Sequence, residues 1–102
     1  MSDALTAILR ETQELLTRES NDFAWSHWRD AQEADAELEK YLRLIERRDY
    51  SQLFDLEVLF APTGSIQEVS ISSGWGQEFL SVAARFDKEV ELFGIRRPPN
   101  MA

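Results

Sequence analysis

The chain has 102 residues, a length that suits a single domain, and its 43% hydrophobic and 29% charged residues are typical of a soluble globular protein. It has no cysteine, which excludes disulfides, thiolate metal sites and a cysteine nucleophile, and its single histidine excludes multi-histidine sites. The net charge of -8 repels phosphate backbones and anionic membranes. We therefore expect neither a nucleic-acid partner nor a membrane partner.

The placement of charge and apolar residues predicts a cytoplasmic protein. No apolar run approaches the ~20 residues that span a bilayer, and residues 1–10 lack the basic and then apolar pattern of a secretory signal. The acidic excess is spread along the chain: residues 1–49 hold 12 acids and 7 bases, and residues 50–102 hold 7 acids and 4 bases. This excess favours solubility, or a face that binds a basic partner.

Helical spacing of apolar residues predicts two helices in the first half of the chain. The first covers residues 3–18 and is followed by a polar loop at 19–22. The second begins at Asp22 or Ser26 and ends at Arg48. The apolar face of this second helix comprises Trp28, Ala31, Leu38, Leu42 and Ile45.

The middle of the chain alternates apolar and other residues, which predicts two strands. The first strand is 54–60, the second is 66–72, and Pro62 and Gly64 supply the turn between them. Pro presets a turn value of φ, and Gly permits a positive φ. The two segments therefore predict an antiparallel β-hairpin.

The apolar pattern also predicts the register of this hairpin. Pairing Val58 with Val69, and Leu56 with Ile71, places all four side chains on one face of the hairpin. A slip of one residue would set an apolar side chain beside an acid. The apolar face would then pack against the helices.

A third helix is predicted over residues 75–93. Its apolar stripe comprises Phe79, Val82, Ala83, Phe86, Val90 and Phe93. Gly94 would end it in the left-handed conformation. Gly74 and Gly76 flank Trp75 and predict a tight turn from strand to helix.

The element order is therefore α-α-β-β-α, which predicts an α+β fold. We expect a single domain over residues 1–95 and a flexible C-terminal tail over residues 96–102. A two-stranded sheet leaves both outer edges open, and these edges favour pairing with a second copy of the chain.

Candidate chemistry is sparse. His27, Asp30 and Glu33 are one helical turn apart and could hold a divalent ion, but a boundary histidine beside solvated acids is the simpler interpretation. Ser26 and His27 are neighbours, and neighbouring side chains on a helix point some 100° apart, so they cannot act as nucleophile and base. We predict no catalytic residue, no metal ligand and no cofactor.

Four residues are candidates for contact with a partner. Trp25 and Trp75 could be surface anchors, because tryptophan is enriched in interface hot spots, although it is also ordinary core material. Glu33 and Glu37 lie on the acidic side of the second helix and could face a basic surface. Pro62, Gly64, Gly74 and Gly76 have a structural role in the turns.

Several sequence elements together resemble a family of small, uncharacterised bacterial proteins. They are Leu56-Glu-Val-Leu-Phe-Ala-Pro-Thr-Gly64, Ile66-Gln-Glu-Val-Ser-Ile71, Ser73-Gly-Trp-Gly76 and a Trp-Ser-x-Trp element at residues 25–28. The resemblance covers about residues 22–90. It carries over no activity and no catalytic residue. It implies an immunity-like role, since small acidic proteins of this kind often lie beside toxin genes.

The leading hypothesis is a non-catalytic, acidic bacterial interaction protein that binds a basic protein partner. The alternative is a self-assembling homodimer of structural role, built on or beside the hairpin. A second alternative is a minor metal-binding or hydrolytic domain that uses His27, Asp30 and Glu33.

Overall fold

The computed structural model describes residues 2–62 and 64–93, and within these ranges the chain forms five helices and no strand. The helices are α1 Ser2–Leu16, α2 Ala31–Glu46, α3 Leu53–Leu59, α4 Ser65–Ser73 and α5 Gly76–Phe93. The predicted α+β fold is therefore wrong, and the described chain is all-helical.

One hydrophobic core is formed by side chains from all five helices. α1 packs against α2 and against α5, and α4 packs against α5. The largest fully buried side chains are Trp75, Phe86, Leu5, Leu9, Leu16, Leu38, Leu42, Leu56 and Ile66. Their helical spacing within each element explains why one face of every helix is buried.

The first two predicted helices exist, but the second begins later than predicted. α2 begins at Ala31, because the Asp30 carboxylate accepts a hydrogen bond from the Glu33 N–H at 3.0 Å and caps the helix. The predicted start at Asp22 or Ser26 is wrong: residues 22–30 form an irregular segment. Trp28 still packs in the core from this segment.

The predicted β-hairpin is replaced by α3 and α4. In α3 the buried residues Leu53, Leu56 and Leu59 lie at intervals of three, which is a helical period hidden within the alternating pattern. Both patterns are present because most residues in this stretch are apolar. A helix satisfies its own backbone N–H and C=O groups, whereas a two-stranded hairpin leaves two edges unpaired.

Because these segments are helices with a period of 3.6 residues and not strands with a period of two, half of the four side chains predicted to be buried are exposed. Leu56 and Val69 are buried, as the strand pattern required. Val58 and Ile71, which the predicted register placed on the same face, are 49% and 63% exposed. Apolar side chains that a sheet would have covered therefore lie on the surface of the helices.

The predicted turn residues do connect elements, although the elements are helices. The Gly64 N–H donates to Ala61 O at 2.8 Å in the turn between α3 and α4, beside the exposed Pro62. A Cβ on Gly64 would lie 2.5 and 2.6 Å from the carbonyl oxygens of Leu59 and Val58, so the turn requires glycine. These backbone contacts fix where α4 begins.

Gly74 joins α4 to α5. Its φ of 86° is left-handed, and Trp75 N–H donates to Ser70 O at 2.9 Å, as in a Schellman cap. Gly76 is the first residue of α5, and a Cβ there would meet nothing within 4 Å. The positive φ is needed at Gly74, and Gly76 carries no such requirement.

The predicted third helix is confirmed as α5. Its Phe86 side chain is fully buried and stacks on Phe60 with ring centroids 4.1 Å apart. The predicted cap at Gly94 and the predicted tail at 96–102 lie outside the described residues. Within the described ranges, none of the helices combines the length and the apolar character that crossing a membrane requires.

Candidate functional site

An irregular segment follows α4 from one end to the other. The Asp22 N–H donates to Ser73 Oγ at 2.8 Å, and the His27 N–H donates to Ser65 Oγ at 3.3 Å. Ser65 and Ser73 are the first and last residues of α4. We call residues 22–27 the strap, because two serine hydroxyls attach its ends to one helix.

The carboxylate of Glu37 collects hydrogen bonds from three rings. The Trp28 Nε1–H donates to Oε1 at 2.9 Å, His27 Nε2 lies 3.0 Å from the same oxygen, and Tyr41 OH lies 3.5 Å from Oε2. The rings of His27 and Trp28 are adjacent, with centroids 4.8 Å apart. We call these four residues the Glu37 cluster.

The surroundings of Glu37 keep it ionised. Burial by itself raises the pKa of Glu37, but the hydrogen bonds from His27 and Trp28 and the nearby charge of Lys40 outweigh it, so the pKa lies below its ordinary value. Burial, with the charges of Glu37 and Asp55, raises the pKa of Tyr41 to about 12. At neutral pH the cluster therefore holds a carboxylate and a neutral phenol.

The partners of His27 assign its tautomer. Nε2 faces a carboxylate, which only accepts hydrogen bonds, so Nε2 carries the proton of the neutral ring. Nδ1 then has a free lone pair, and it contacts Ser65 Oγ. That hydroxyl already accepts from the His27 N–H and can donate its own proton to Nδ1. Ser65, His27 and Glu37 thus form one continuous relay.

The predicted group of His27, Asp30 and Glu33 does not come together. Asp30 caps α2, and Glu33 accepts from the Arg29 N–H at 2.7 Å and from the Arg29 Nε–H at 2.8 Å. The hydrogen bonds from the Arg29 backbone and side chain lower the pKa of Glu33. Among the described residues, no group of three His, Cys, Asp or Glu side chains could hold a metal ion.

The two candidate tryptophans have opposite environments. Trp25 lies in the strap and is 73% exposed. Trp75 is 2% exposed, and its Nε1–H donates to Asn21 Oδ1 at 2.8 Å, while the Asn21 amide donates to Leu15 O. Trp75 is therefore a core residue that ties α5 to the end of α1, and only Trp25 presents its ring at the surface.

Most of the exposed apolar side chains lie on the last three helices. They are Phe54 and Val58 on α3, Ile71 on α4, and Leu80 and Leu92 on α5, and we call these five residues together the α3–α5 surface. Each of these side chains is between 49% and 68% exposed. An open cleft of about 470 Å³ lies between α4 and α5, lined by Ile71 and Leu80 among others.

Sequence reasoning missed Ser65 and found only part of the Glu37 cluster. Ser65 is 38 positions from His27, and no spacing in the sequence connects the two residues. A polar residue that follows Pro-x-Gly and begins a helix was the only local signal available. The comparisons add no relative: no family model, no curated protein and no solved structure matches this chain.

Proposed function

We propose that the protein binds a basic protein partner through the α3–α5 surface. The observation that carries this proposal is the distribution of exposed apolar side chains. Of the six large hydrophobic residues exposed in the described part of the chain, five lie on α3, α4 and α5, and the sixth is Trp25. Ile71 and Leu80 also line one open cleft between α4 and α5, and an exposed apolar cleft is typical of interaction sites.

The charge of the same segment supports a basic partner. Residues 53–93 contain seven acids and two bases, a net charge of 2 − 7 = −5. A partner with basic residues around an apolar centre complements this surface. A second copy of the chain would bring two acidic surfaces together, so the charge favours a different, basic protein over a homodimer.

The acidic candidates on α2 are engaged within the protein. Glu33 is paired with Arg29 at 2.8 Å, and Glu37 is occupied by the Glu37 cluster. Both carboxylates already accept hydrogen bonds within the protein and are less than two-fifths exposed, so they are less available to a partner than free carboxylates would be. The proposed contact surface therefore differs from the one that the sequence pattern suggested, while the proposed chemistry of the partner stays the same.

Two double variants test the surface. Phe54→Ser with Val58→Ser changes α3, and Ile71→Ser with Leu80→Ser changes the α4–α5 cleft; Trp25→Ser is the matched control, since it removes an equally exposed ring elsewhere. Proteins retained from a lysate by the wild type are identified by mass spectrometry, purified and titrated. We expect a basic protein whose Kd rises about tenfold or more with at least one double variant, and changes little with Trp25→Ser.

Salt and sedimentation complete the test. Added salt should weaken the complex, because charges farther apart than ~8 Å are screened at physiological ionic strength. A purified partner that binds both double variants as tightly as the wild type would refute the proposal. Sedimentation equilibrium of the protein alone tests for a homodimer. A mass of two chains that both double variants reduce to one would assign the α3–α5 surface to self-association instead.

Binding of a basic partner would agree with the immunity-like role that the resemblance implies.

A further inference from the structure

We propose that Ser65 is an activated nucleophile that accepts an acyl group from small activated esters, with His27 as its base and Glu37 as the positioning residue. The Ser65–His27–Glu37 relay, which joins α4, the strap and α2, carries this proposal. It is independent of the α3–α5 surface, so either proposal can fail alone.

The arrangement meets the geometric requirements for nucleophilic catalysis. The hydroxyl contacts an imidazole nitrogen that has no proton in the neutral ring, and the other ring nitrogen is held by an anion. A base oriented by a third group is the general feature of such sites, and here Nδ1 faces the hydroxyl and Nε2 the carboxylate, the reverse of the serine-protease arrangement. Neighbouring Ser26 does not take this part, because its hydroxyl donates to Phe23 O at 3.0 Å and accepts from the Trp28 N–H at 3.1 Å.

Glu37 has the properties that the positioning residue needs. Its side chain is 24% exposed, and the hydrogen bond from Trp28 Nε1–H at 2.9 Å fixes Oε1 independently of His27. Its lowered pKa keeps it anionic at neutral pH. An anion at this position stabilises the imidazolium that forms when the base accepts a proton.

The start of α4 adds a favourable field at the reacting oxygen. Ser65 is the first residue of this nine-residue helix, and Gly64 before it offers no side-chain cap. The unpaired N–H groups of a first helical turn attract negative charge, such as that on the oxygen of a tetrahedral intermediate. Because Gly64 packs on the carbonyl oxygens of α3, this end of α4 is held in place.

The relay is accessible to small molecules. The side chain of His27 is 55% exposed, and its hydrogen bond with Ser65 lies at the surface. His27 also lines an open cleft of about 710 Å³ that is formed by residues between Thr17 and Ala31. This access at the base suits a small ester.

The reaction is an ordinary acyl transfer. Ser65 Oγ forms a bond to the acyl carbon, and its proton passes to His27 Nδ1. The ester C–O bond then breaks, and the leaving oxygen takes the proton from Nδ1. Water hydrolyses the acyl-serine by the same steps, which regenerates the hydroxyl.

Covalent labelling of the whole protein by an alkyl fluorophosphonate tests the proposal. Ser65 Oγ displaces fluoride from phosphorus, and mass spectrometry locates the adduct. We expect about one adduct per chain, on Ser65, and none with Ser65→Ala. Loss of the base in His27→Gln should slow labelling on the order of 10²-fold or more. Ser72→Ala is the matched control, because it removes an exposed hydroxyl of the same helix outside the relay, and it should be labelled at the wild-type rate.

Further measurements distinguish an activated Ser65 hydroxyl from a Ser65–His27 hydrogen bond that only holds the strap on α4. Melting temperatures identify any variant that has lost its fold, and Glu37→Gln should move the pH midpoint of labelling to lower pH, since the imidazolium loses its counter-charge. If the hydrogen bond is only structural, the variants should change the melting temperature and leave the labelling unchanged. Absence of labelling in the folded wild type, or equal labelling of wild type and Ser65→Ala, would overturn the proposal.

Discussion

Residues 2–52 and residues 53–93 differ in how many polar side chains they pair and how many apolar side chains they expose. In the first region ion pairs join Arg10 to Glu39 and Arg29 to Glu33, and a hydrogen bond joins His27 to Glu37. Trp25 is the one large hydrophobic that the described part of this region exposes. In the second region five large hydrophobics are exposed. Two ion pairs, Arg18–Glu78 and Arg85–Glu11, connect the regions.

This difference underlies the proposal of a partner surface. In the first region, Asp30 caps α2, Glu33 pairs with Arg29 and Glu37 accepts from aromatic rings, so these carboxylates are engaged within the fold. The second region exposes five large hydrophobic side chains and has a strongly acidic composition. Exposed apolar side chains lower solubility and add nothing to the core, so they are expected where another protein binds.

The largest test of this comparison replaces phenylalanine by alanine at a buried and at an exposed position. Phe86→Ala should lower the free energy of unfolding by about 3–5 kcal/mol, because it empties a fully buried site stacked on Phe60. Phe54→Ala, at a side chain that is 57% exposed, should change it by less than about 1 kcal/mol. Urea denaturation measures both. Equal effects would mean that Phe54 supports the fold and is not reserved for a partner.

A smaller effect is expected at the glycines that begin the last two helices. Gly64→Ala should destabilise the protein by about 1–3 kcal/mol, because the new methyl group meets backbone carbonyl oxygens that cannot easily move. Gly76→Ala should be neutral or stabilise by up to about 1 kcal/mol, since a Cβ there meets nothing within 4 Å. Thermal unfolding of both variants compares them directly. A harmless Gly64→Ala would contradict the tight junction of α3 and α4.

The smallest effect concerns the charge of Glu37 in the first region. Its folded pKa is lowered, so the carboxylate contributes stability that is present above the unfolded value of 4.5 and is lost as the pH falls through the folded value. Glu37→Gln should cost about 1 kcal/mol at pH 7 and weaken the loss of stability below about pH 4.5. Urea midpoints between pH 7 and pH 3 measure this slope. Glu46→Gln, at an exposed position on α2, should leave both the stability and the slope unchanged.

Sequence reasoning predicted the long helices well and the short ones badly. The stripes of α1, α2 and α5 span four or more turns, and over that length a period of 3.6 cannot be mistaken for a period of two. α3 has seven residues, and Leu53, Phe54, Leu56, Val58, Leu59 and Phe60 fit both periods. Local pattern could not choose between them.

The candidate site could be predicted only in part, because its contacts are distant in sequence. Glu37 was identified as a partner for an external basic surface, yet it contacts Trp28 and His27, nine and ten positions away. Ser65 meets His27 across 38 positions. Such a meeting depends on how the strap is placed along α4, and no local spacing encodes that placement.

Composition and long-range periodicity by themselves determined the acidic character of the protein, its three long helices, and the glycines and proline at its turns. The tertiary structure decided the rest. It selected helices over strands in the middle of the chain, because Leu56, Phe60 and Val69 reach the core together from α3 and α4 while each helix satisfies its own backbone. The same choice moved Val58 and Ile71 to the surface, since a helical period cannot bury every residue that an alternating period would bury.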